Sequence, residues 1–295
     1  MKDIGFIGVG TMGCPMASNI LRNNYNLSFY DPYVSEENKK KLFDLGAIEK
    51  SSIADLCIKN EIIISMLPNG NDVEEISLGK DSIINQSNKG LIFIDMSTIL
   101  PSDSININKK LNEKNIEMYD APVGRLVSNA IDGTLLIMVG GNKNNYSKIE
   151  KILNCMGSDV IYCGKAGSGS TMKIINNYMS IVSNIVTAET LSLVDKSGIN
   201  RELAIKLMSS TAAGKGHMNL TYPAKVFKND VGPGFKNSLA LKDLKLAINH
   251  AEKEGIDLVS GKGVLKTYEA AVEGKYKDLD WTAMFNYIKE INNLD

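Results

Sequence analysis

The stretch "IGFIGVGTMG", residues 4–13, constrains the fold more than any other part of the chain. A short apolar run of strand type ends at Gly8, and the pattern Gly8-x-Gly10-x-x-Gly13 leads directly into a helical segment. Gly8 permits the tight turn, Gly10 lets backbone approach a pyrophosphate, and Gly13 lets the helix pack close to the strand. The turn through Thr11 and Met12 then presents unpaired N–H groups and the positive end of the helix dipole to phosphates. Asp31 lies 21 residues after Gly10 and closes the run "LSFYD". A carboxylate there accepts hydrogen bonds from both adenosine ribose hydroxyls and repels a 2′-phosphate, so NAD(H) is expected over NADP(H). The competing reading makes the glycines a purely structural turn and Asp31 a helix cap.

The rest of the first half fits that start. Apolar runs at 4–8, 27–31, 61–67, 91–95, 116–120 and 135–141 alternate with amphipathic or polar stretches. Such alternation predicts a Rossmann-type, doubly wound, mostly parallel α/β sheet, with the directions of the last strands left open. After Gly164 the strand runs stop. No proline or glycine occurs from Ser170 to Lys196, and Met172, Ile175, Met179, Ile181, Val182, Ile185, Val186 and Leu193 recur near helical spacing. This predicts one long interdomain helix of about 27–30 residues, spanning ~40 Å, with Gly198 as its stop. Further helices are expected near 200–210, 236–254, 258–273 and 281–292. The domains are therefore expected at 1–163, binding the dinucleotide, and 164–295, all-helical and serving substrate binding and oligomerisation.

Composition excludes several classes. A net charge of −1 gives no electrostatic footprint for nucleic acid. No window approaches 18 uninterrupted apolar residues, so no membrane span is expected. No basic n-region or small-residue cleavage site opens the chain, so no export signal is expected. Cys14, Cys57, Cys155 and Cys163 lie far apart without C-x-x-C spacing, which argues against structural zinc and for reduced thiols in a cytoplasmic protein. His217 and His250 are the only histidines, so a histidine-rich metal site is impossible.

Strand ends elsewhere point to the same ligand. "MLPNG" (66–70) and "DMST" (95–98) follow predicted strands, and ligands lie outside the carboxyl ends of such strands. Leu67 and Thr98 are thus candidate cofactor neighbours, or ordinary loop residues. In "GSGSTMKIINNYM" (167–179), Lys173, Asn176 and Asn177 fall at i, i+3 and i+4 on one face of the long helix. They sit on its first turns, where a cleft is expected. A desolvated lysine there can act as general acid to a carbonyl oxygen, with neutral carboxamides orienting it. The alternative is a solvated Lys-Asn-Asn face. Lys242 in "LALKDLKLA" (239–247) can reach a cofactor or be an exposed helix charge. "TAAGKGHMN" (211–219), with Lys215 and His217, reads as an interhelical connection or a cleft loop.

Taken in order, "GFIGVGTMGCPMASNI", "DAPVGR", "DGTLLIMVGG", "GSGSTMKIINNYM" and "LKDLKLA" resemble the β-hydroxyacid dehydrogenase family over nearly the whole chain. In that family the segment at Asp120 usually continues Ala-Pro-Val-Ser-Gly-Gly and holds a substrate carboxylate. Here Gly124 and Arg125 replace Ser-Gly, and that departure, with "NNYMSIVSN", "STAAGKGHMN" and the late "DWTAM" (280–284), resembles the branch reducing a three-carbon sulfonated aldehyde. The resemblance implies that Lys173 is the catalytic acid and that Arg125, with Gly124, Asn176 and Asn177, surrounds the substrate. It implies that Gly8, Gly10, Thr11, Met12, Gly13, Asp31, Leu67, Thr98 and Lys242 serve NAD(H), and that the chain assembles as a homodimer or homotetramer. Physics supplies a reason for Arg125: a sulfonate is anionic at every biological pH, and a guanidinium can bond two of its oxygens at once. The open alternative pairs Arg125 with a nearby carboxylate such as Asp120 or Asp132. Leu126 and Val127 add no hydroxyl where polar contacts to a sulfonate are expected. A carboxylated aldehyde such as succinic semialdehyde, or a 3-hydroxyisobutyrate or glyoxylate substrate, is the second reading.

Overall fold

A computed structural model describes residues 3–86, 90–196, 198–210, 216–217, 221–253 and 259–294. The chain divides into two compact units, Met1–Lys173 and Ile174–Asp295. The first contains every strand described: β1 Asp3–Ile7, β2 Asn26–Tyr30, β3 Ile48–Glu49, β4 Ile62–Ser65, β5 Ile92–Asp95, β6 Glu117–Asp120, β7 Val123–Gly124, β8 Leu135–Gly140 and β9 Gly157–Gly164. Its helices are α1 Gly13–Arg22, α2 Glu36–Asp44, α3 Ile53–Cys57, α4 Gly70–Leu78, α5 Pro101–Asn112, α6 Val127–Asp132 and α7 Ser147–Leu153. The long helix α8, Ser168–Lys196, carries the division between the units. In the second unit lie α9 Arg201–Ser209, α10 Asn237–Lys253, α11 Val259–Glu273 and α12 Met284–Ile291.

The sheet runs β3-β2-β1-β4-β5-β6-β8-β7, with β9 added to β8. The strands from β3 to β6 pair in parallel, the doubly wound order. Period-two alternation serves both faces. Ile62, Ile64, Ile92 and Ile94 join Phe6, Met16 and Phe29 on one side, while Ile63 and Phe93 join Ile7, Leu56 and Ile107 on the other. The direction left open by the sequence is now fixed: β8 is antiparallel to β6 and β7, and β9 is parallel to β8. Three strands escaped the sequence reading. β3 and β7 have two residues each, too few to leave a pattern. β9 opens on Ser158 and Asp159, and its apolar run, 160–163, is only four residues long with Ile161 half-exposed.

Helix α8 forms because nothing inside it breaks it after Gly169. It ends where Gly198 takes φ +69 and donates to the Asp195 carbonyl at 3.1 Å, while the Ile199 N–H reaches Val194 O at 3.2 Å. In the second unit, Ile181 and Ile185 pack with Leu244, Ile248, Tyr268 and Met284. Buried Asn184 interrupts that apolar face but donates to Trp281 O at 2.8 Å and to the Tyr268 hydroxyl at 3.2 Å. The helix expected at 281–292 divides into a 3₁₀ turn, Trp281–Ala283, and α12. The segment 211–219 lies mostly outside the described residues, Lys215 included. His217 is buried, with Nε2 2.6 Å from the Ser180 carbonyl oxygen and Nδ1 3.0 Å from Thr221 Oγ1. Burial holds its imidazole below the usual histidine range, and both ring nitrogens are committed to structure. Among the described residues, no helix is long and apolar enough to cross a membrane, and no group of His, Cys, Asp and Glu is arranged to hold a metal.

Candidate active site

The glycine loop is built by exclusion. Gly8 leaves β1 at φ +83, and a Cβ there would lie 2.5 Å from the Met66 carbonyl oxygen. A Cβ on Gly13 would lie 1.9 Å from the carbonyl oxygen of Gly8, so α1 can start against β1 only with glycine. Gly10 is different: it is exposed, and a Cβ would meet nothing within 4 Å. No side chain caps α1, whose N-cap is Met12, and its first turn holds no acid. Thr11 is exposed and Met12 half-buried beside it. Open space at Gly10 and an uncapped helix start fit a dinucleotide pyrophosphate.

Asp31 fastens this loop. Its Oδ2 accepts the Val9 N–H and its Oδ1 the Tyr33 N–H, both at 2.9 Å. It caps no helix, because α2 begins at Glu36 with Ser35 as N-cap. Each carboxylate oxygen keeps a second lone pair, so ribose recognition remains chemically open.

Leu67 and Thr98, both half-buried, follow the carboxyl ends of β4 and β5. A network missed in the sequence holds these two ends together. Ser65 Oγ donates to Asp95 Oδ1 at 2.8 Å, the Ser97 N–H donates to the same oxygen at 3.1 Å, and the Leu67 N–H donates to Ser97 Oγ at 2.9 Å. Burial pushes the Asp95 carboxyl up, with the serine donors opposing. Asp120 lies opposite Asp95 in the sheet register and is equally buried. It accepts the backbone N–H of Gly167 at 2.7 Å and of Ser170 at 2.8 Å. Burial pushes its carboxyl up to about 6, the Ser170 and Gly167 donors opposing and Asp95 adding to the rise. A signal was available: "LSFYD", "LIFID" and "IEMYD" all end in aspartate.

Beyond β6, the chain continues through β7, where buried Gly124 pairs with Leu136. Arg125 follows in the left-handed region, at φ +77. Its Nη1 donates to Thr134 O at 2.6 Å and Ser158 Oγ at 2.8 Å, and its Nη2 meets Asp159 Oδ2 at 2.5 Å. The carboxylate partner is therefore neither Asp120 nor Asp132. Pairing of β8 with β9 brings Asp159 level with Leu136, and hence beside Arg125. The Ser158 hydrogen bond, then Arg125, hold the Asp159 carboxyl below the usual range. The pair is exposed, 38% at Arg125 and 48% at Asp159.

On α8, Lys173 is half-buried, Asn176 exposed and Asn177 buried. Within the second unit, Asn176 Nδ2 donates to Asn177 Oδ1 at 3.4 Å, and Asn177 Nδ2 donates to Asp243 Oδ2. The Lys242 ammonium lies 3.0 Å from Asp243 Oδ1. Asp243 thus joins Asn177 to Lys242. The sequence carried a sign of it: Asp243 shares a helical phase with buried Ala240, Leu244 and Ala247, where an acid requires a partner.

Comparison with known proteins identifies the family. Residues 3–164 match the NAD binding domain of 6-phosphogluconate dehydrogenase, and residues 167–288 match the NAD-binding family model of NADP-dependent 3-hydroxyisobutyrate dehydrogenase. The chain is 37% identical to 3-sulfolactaldehyde reductase of Escherichia coli K12, covering 98% of this chain and 96% of that one. It is 35% identical to the mitochondrial 3-hydroxyisobutyrate dehydrogenase of Rattus norvegicus, over 97% and 87% of the two chains. The structure of Mycobacterium tuberculosis 3-hydroxyisobutyrate dehydrogenase with L-serine superposes with a TM-score of 0.90 at 27% identity, over 98% and 99% of the chains. The chain belongs to the β-hydroxyacid dehydrogenases, oxidoreductases of the 3-hydroxyisobutyrate dehydrogenase type that act on hydroxyl and aldehyde groups.

Proposed function

We propose that this protein reduces a small anionic aldehyde with NADH, specifically 3-sulfolactaldehyde to 2,3-dihydroxypropane-1-sulfonate. The observation that carries the substrate is Arg125, a permanent cation directly after β7, in an ion pair open to solvent. Exposed pairs contribute little, so an incoming sulfonate can take over the guanidinium from Asp159. The 37% identity to an enzyme named 3-sulfolactaldehyde reductase supports the same reading. Asp31 favours NADH, since its charge opposes a 2′-phosphate. When bound, NADH supplies the hydride. Lys173 donates the proton that the reduced carbonyl oxygen requires, and Asn176 and Asn177 orient the lysine and the substrate. Lys242 serves as a cofactor contact.

A second reading keeps the reaction and changes the anion. Arginine binds carboxylates as readily as sulfonates, Leu126 and Val127 add no donor, and the rat relative is a 3-hydroxyisobutyrate dehydrogenase. Initial rates with 3-sulfolactaldehyde, succinic semialdehyde, glyoxylate and the semialdehyde of 3-hydroxyisobutyrate, each with NADH and NADPH, test both. The sulfonate with NADH should give the highest kcat/KM. A carboxylated aldehyde in first place would replace the substrate, and equal use of NADPH would remove the role given to Asp31.

Assembly as a homodimer or homotetramer is part of this proposal. Ile175, Met179 and Val186 form an apolar line on one face of α8, each at least half-exposed, which suits contact with another copy.

The glycine loop offers a separate check. Gly10→Ala should leave the thermal midpoint within about 2 °C, since the new methyl meets nothing, yet weaken NADH binding at least ~10-fold. Gly13→Ala should instead cost about 1–3 kcal/mol or more by overpacking against the Gly8 carbonyl. Equal melting of the two variants, or unchanged NADH affinity in Gly10→Ala, would remove the assignment of the loop.

A further inference from the structure

Asp120 is a buried acid that the proposed chemistry leaves unused, yet both its oxygens are committed. Oδ1 accepts from Gly167 N–H and Oδ2 from Ser170 N–H. These donors stand at the entrance to α8, where backbone N–H groups have no partner inside the helix. The acid does the work of a capping side chain, but it comes from the end of β6, 47 and 50 residues earlier. Packing there leaves no slack. A Cβ on Gly169 would lie 2.2 Å from Met138 O and 2.6 Å from Asp120 O, and one on Gly140 would lie 2.6 Å from Asp120 Oδ1. Both positions are glycine because the carboxylate and the end of β8 press against the helix start.

Lys173 follows Ser170 by three residues, close to one helical turn, so whatever fixes that first turn fixes the base of the lysine. We propose that Asp120 is a positioning residue: it locks the start of α8 to the end of β6 and thereby sets where the Lys173 ammonium stands. This rests on the reading of Lys173 as proton donor. A displacement of about 1 Å at such a group can cost roughly 100-fold in rate. The anchor also has a pH dependence. The titratable neighbours are Asp95 across on β5 and Cys163 on β9, whose thiol is raised first by burial and then by Asp120; residues 167–172 carry no charge. With the Asp120 carboxyl at about 6, protonation on the acid side removes an acceptor from one of the two N–H groups, so turnover falls as pH drops through that value.

The experiment compares Asp120→Ala and Asp120→Asn with the wild type, and runs Lys173→Ala beside them. It reads turnover per NADH-binding site, NADH affinity, the pH profile and amide exchange at Gly167 and Ser170. Asp120→Ala should lose about 10- to 100-fold in turnover per site with NADH affinity unchanged and faster exchange at both amides. Asp120→Asn keeps one acceptor oxygen, so it should recover part of the turnover and lose the acid limb near pH 6. Turnover per site within about twofold of wild type in Asp120→Ala, or a parallel loss of turnover and NADH affinity, would overturn the proposal. If Asp120→Ala does not fold, Asp120→Asn decides alone: wild-type turnover with the acid limb retained overturns it. A fully active Lys173→Ala would remove the lysine role and this anchor together. An inactive Lys173→Ala with normal Asp120 variants would remove only the anchor.

Discussion

Lys173→Ala should lower turnover by about 10²- to 10⁴-fold, the range expected when a positioned general acid is removed. NADH affinity should stay within about twofold, because the pyrophosphate and ribose are assigned to the loop at residues 8–13 and to Asp31. The fold should tolerate the change: the side chain is half-buried, neither neighbour along the helix is glycine or proline, and alanine has the highest helix propensity. Lys173→Arg sharpens the test. Arginine keeps the positive charge and most of the length, but its pKa above ~12 prevents proton donation near neutrality. A loss in Lys173→Arg close to that of Lys173→Ala is the signature of proton transfer. Recovery of turnover in Lys173→Arg would instead leave only an electrostatic role. Stopped-flow measurement of hydride transfer, with NADH fluorescence titration for affinity, reads both quantities.

Arg125→Ser should raise the KM for 3-sulfolactaldehyde by about tenfold to a hundredfold, corresponding to roughly 1.5–3 kcal/mol of charge-assisted hydrogen bonding. The KM for an uncharged aldehyde of similar size should barely change. The ion pair seen in the structure adds a second arm. Asp159 holds the guanidinium at 2.5 Å, so on the proposed reading it competes with the substrate for the same donors. Asp159→Asn removes the competitor's charge and should lower the KM for the sulfonate. An unchanged KM in Arg125→Ser would return the arginine to a purely structural role, tying β7 to Thr134 and to the start of β9.

Much of the first unit was readable from local pattern. Each buried strand from β1 to β6, β3 apart, leaves a short apolar run, and the glycine spacing identifies the turn that must follow the first of them. Helix α8 was equally plain, because an uninterrupted amphipathic stretch of that length has few other solutions. What escaped depends on distant partners. Asp159 meets Arg125 across 34 residues because β9 pairs with β8, and nothing near either residue announces that pairing. Local sequence offers Asp120 only as a partner for arginine, whereas its oxygens accept from a turn 47 residues on. Asp243 shares the buried phase of α10, but only the packing of that helix names Asn177 as its donor. Spacing can say which side chains share a face. It cannot say which carboxylate each donor will find.

The backbone at Arg125 adds one more consequence. At φ +77 an L-residue sits in the left-handed basin, a conformation that glycine enters freely and that costs other residues on the order of 1 kcal/mol. Arg125→Gly should therefore relieve torsional strain even as it deletes the ion pair to Asp159 and the hydrogen bonds to Thr134 and Ser158, so the relief should offset part of that loss in the melting temperature. A long cation occupies a position where the main chain would be more comfortable with no side chain at all, so what the charge holds has to offset that strain.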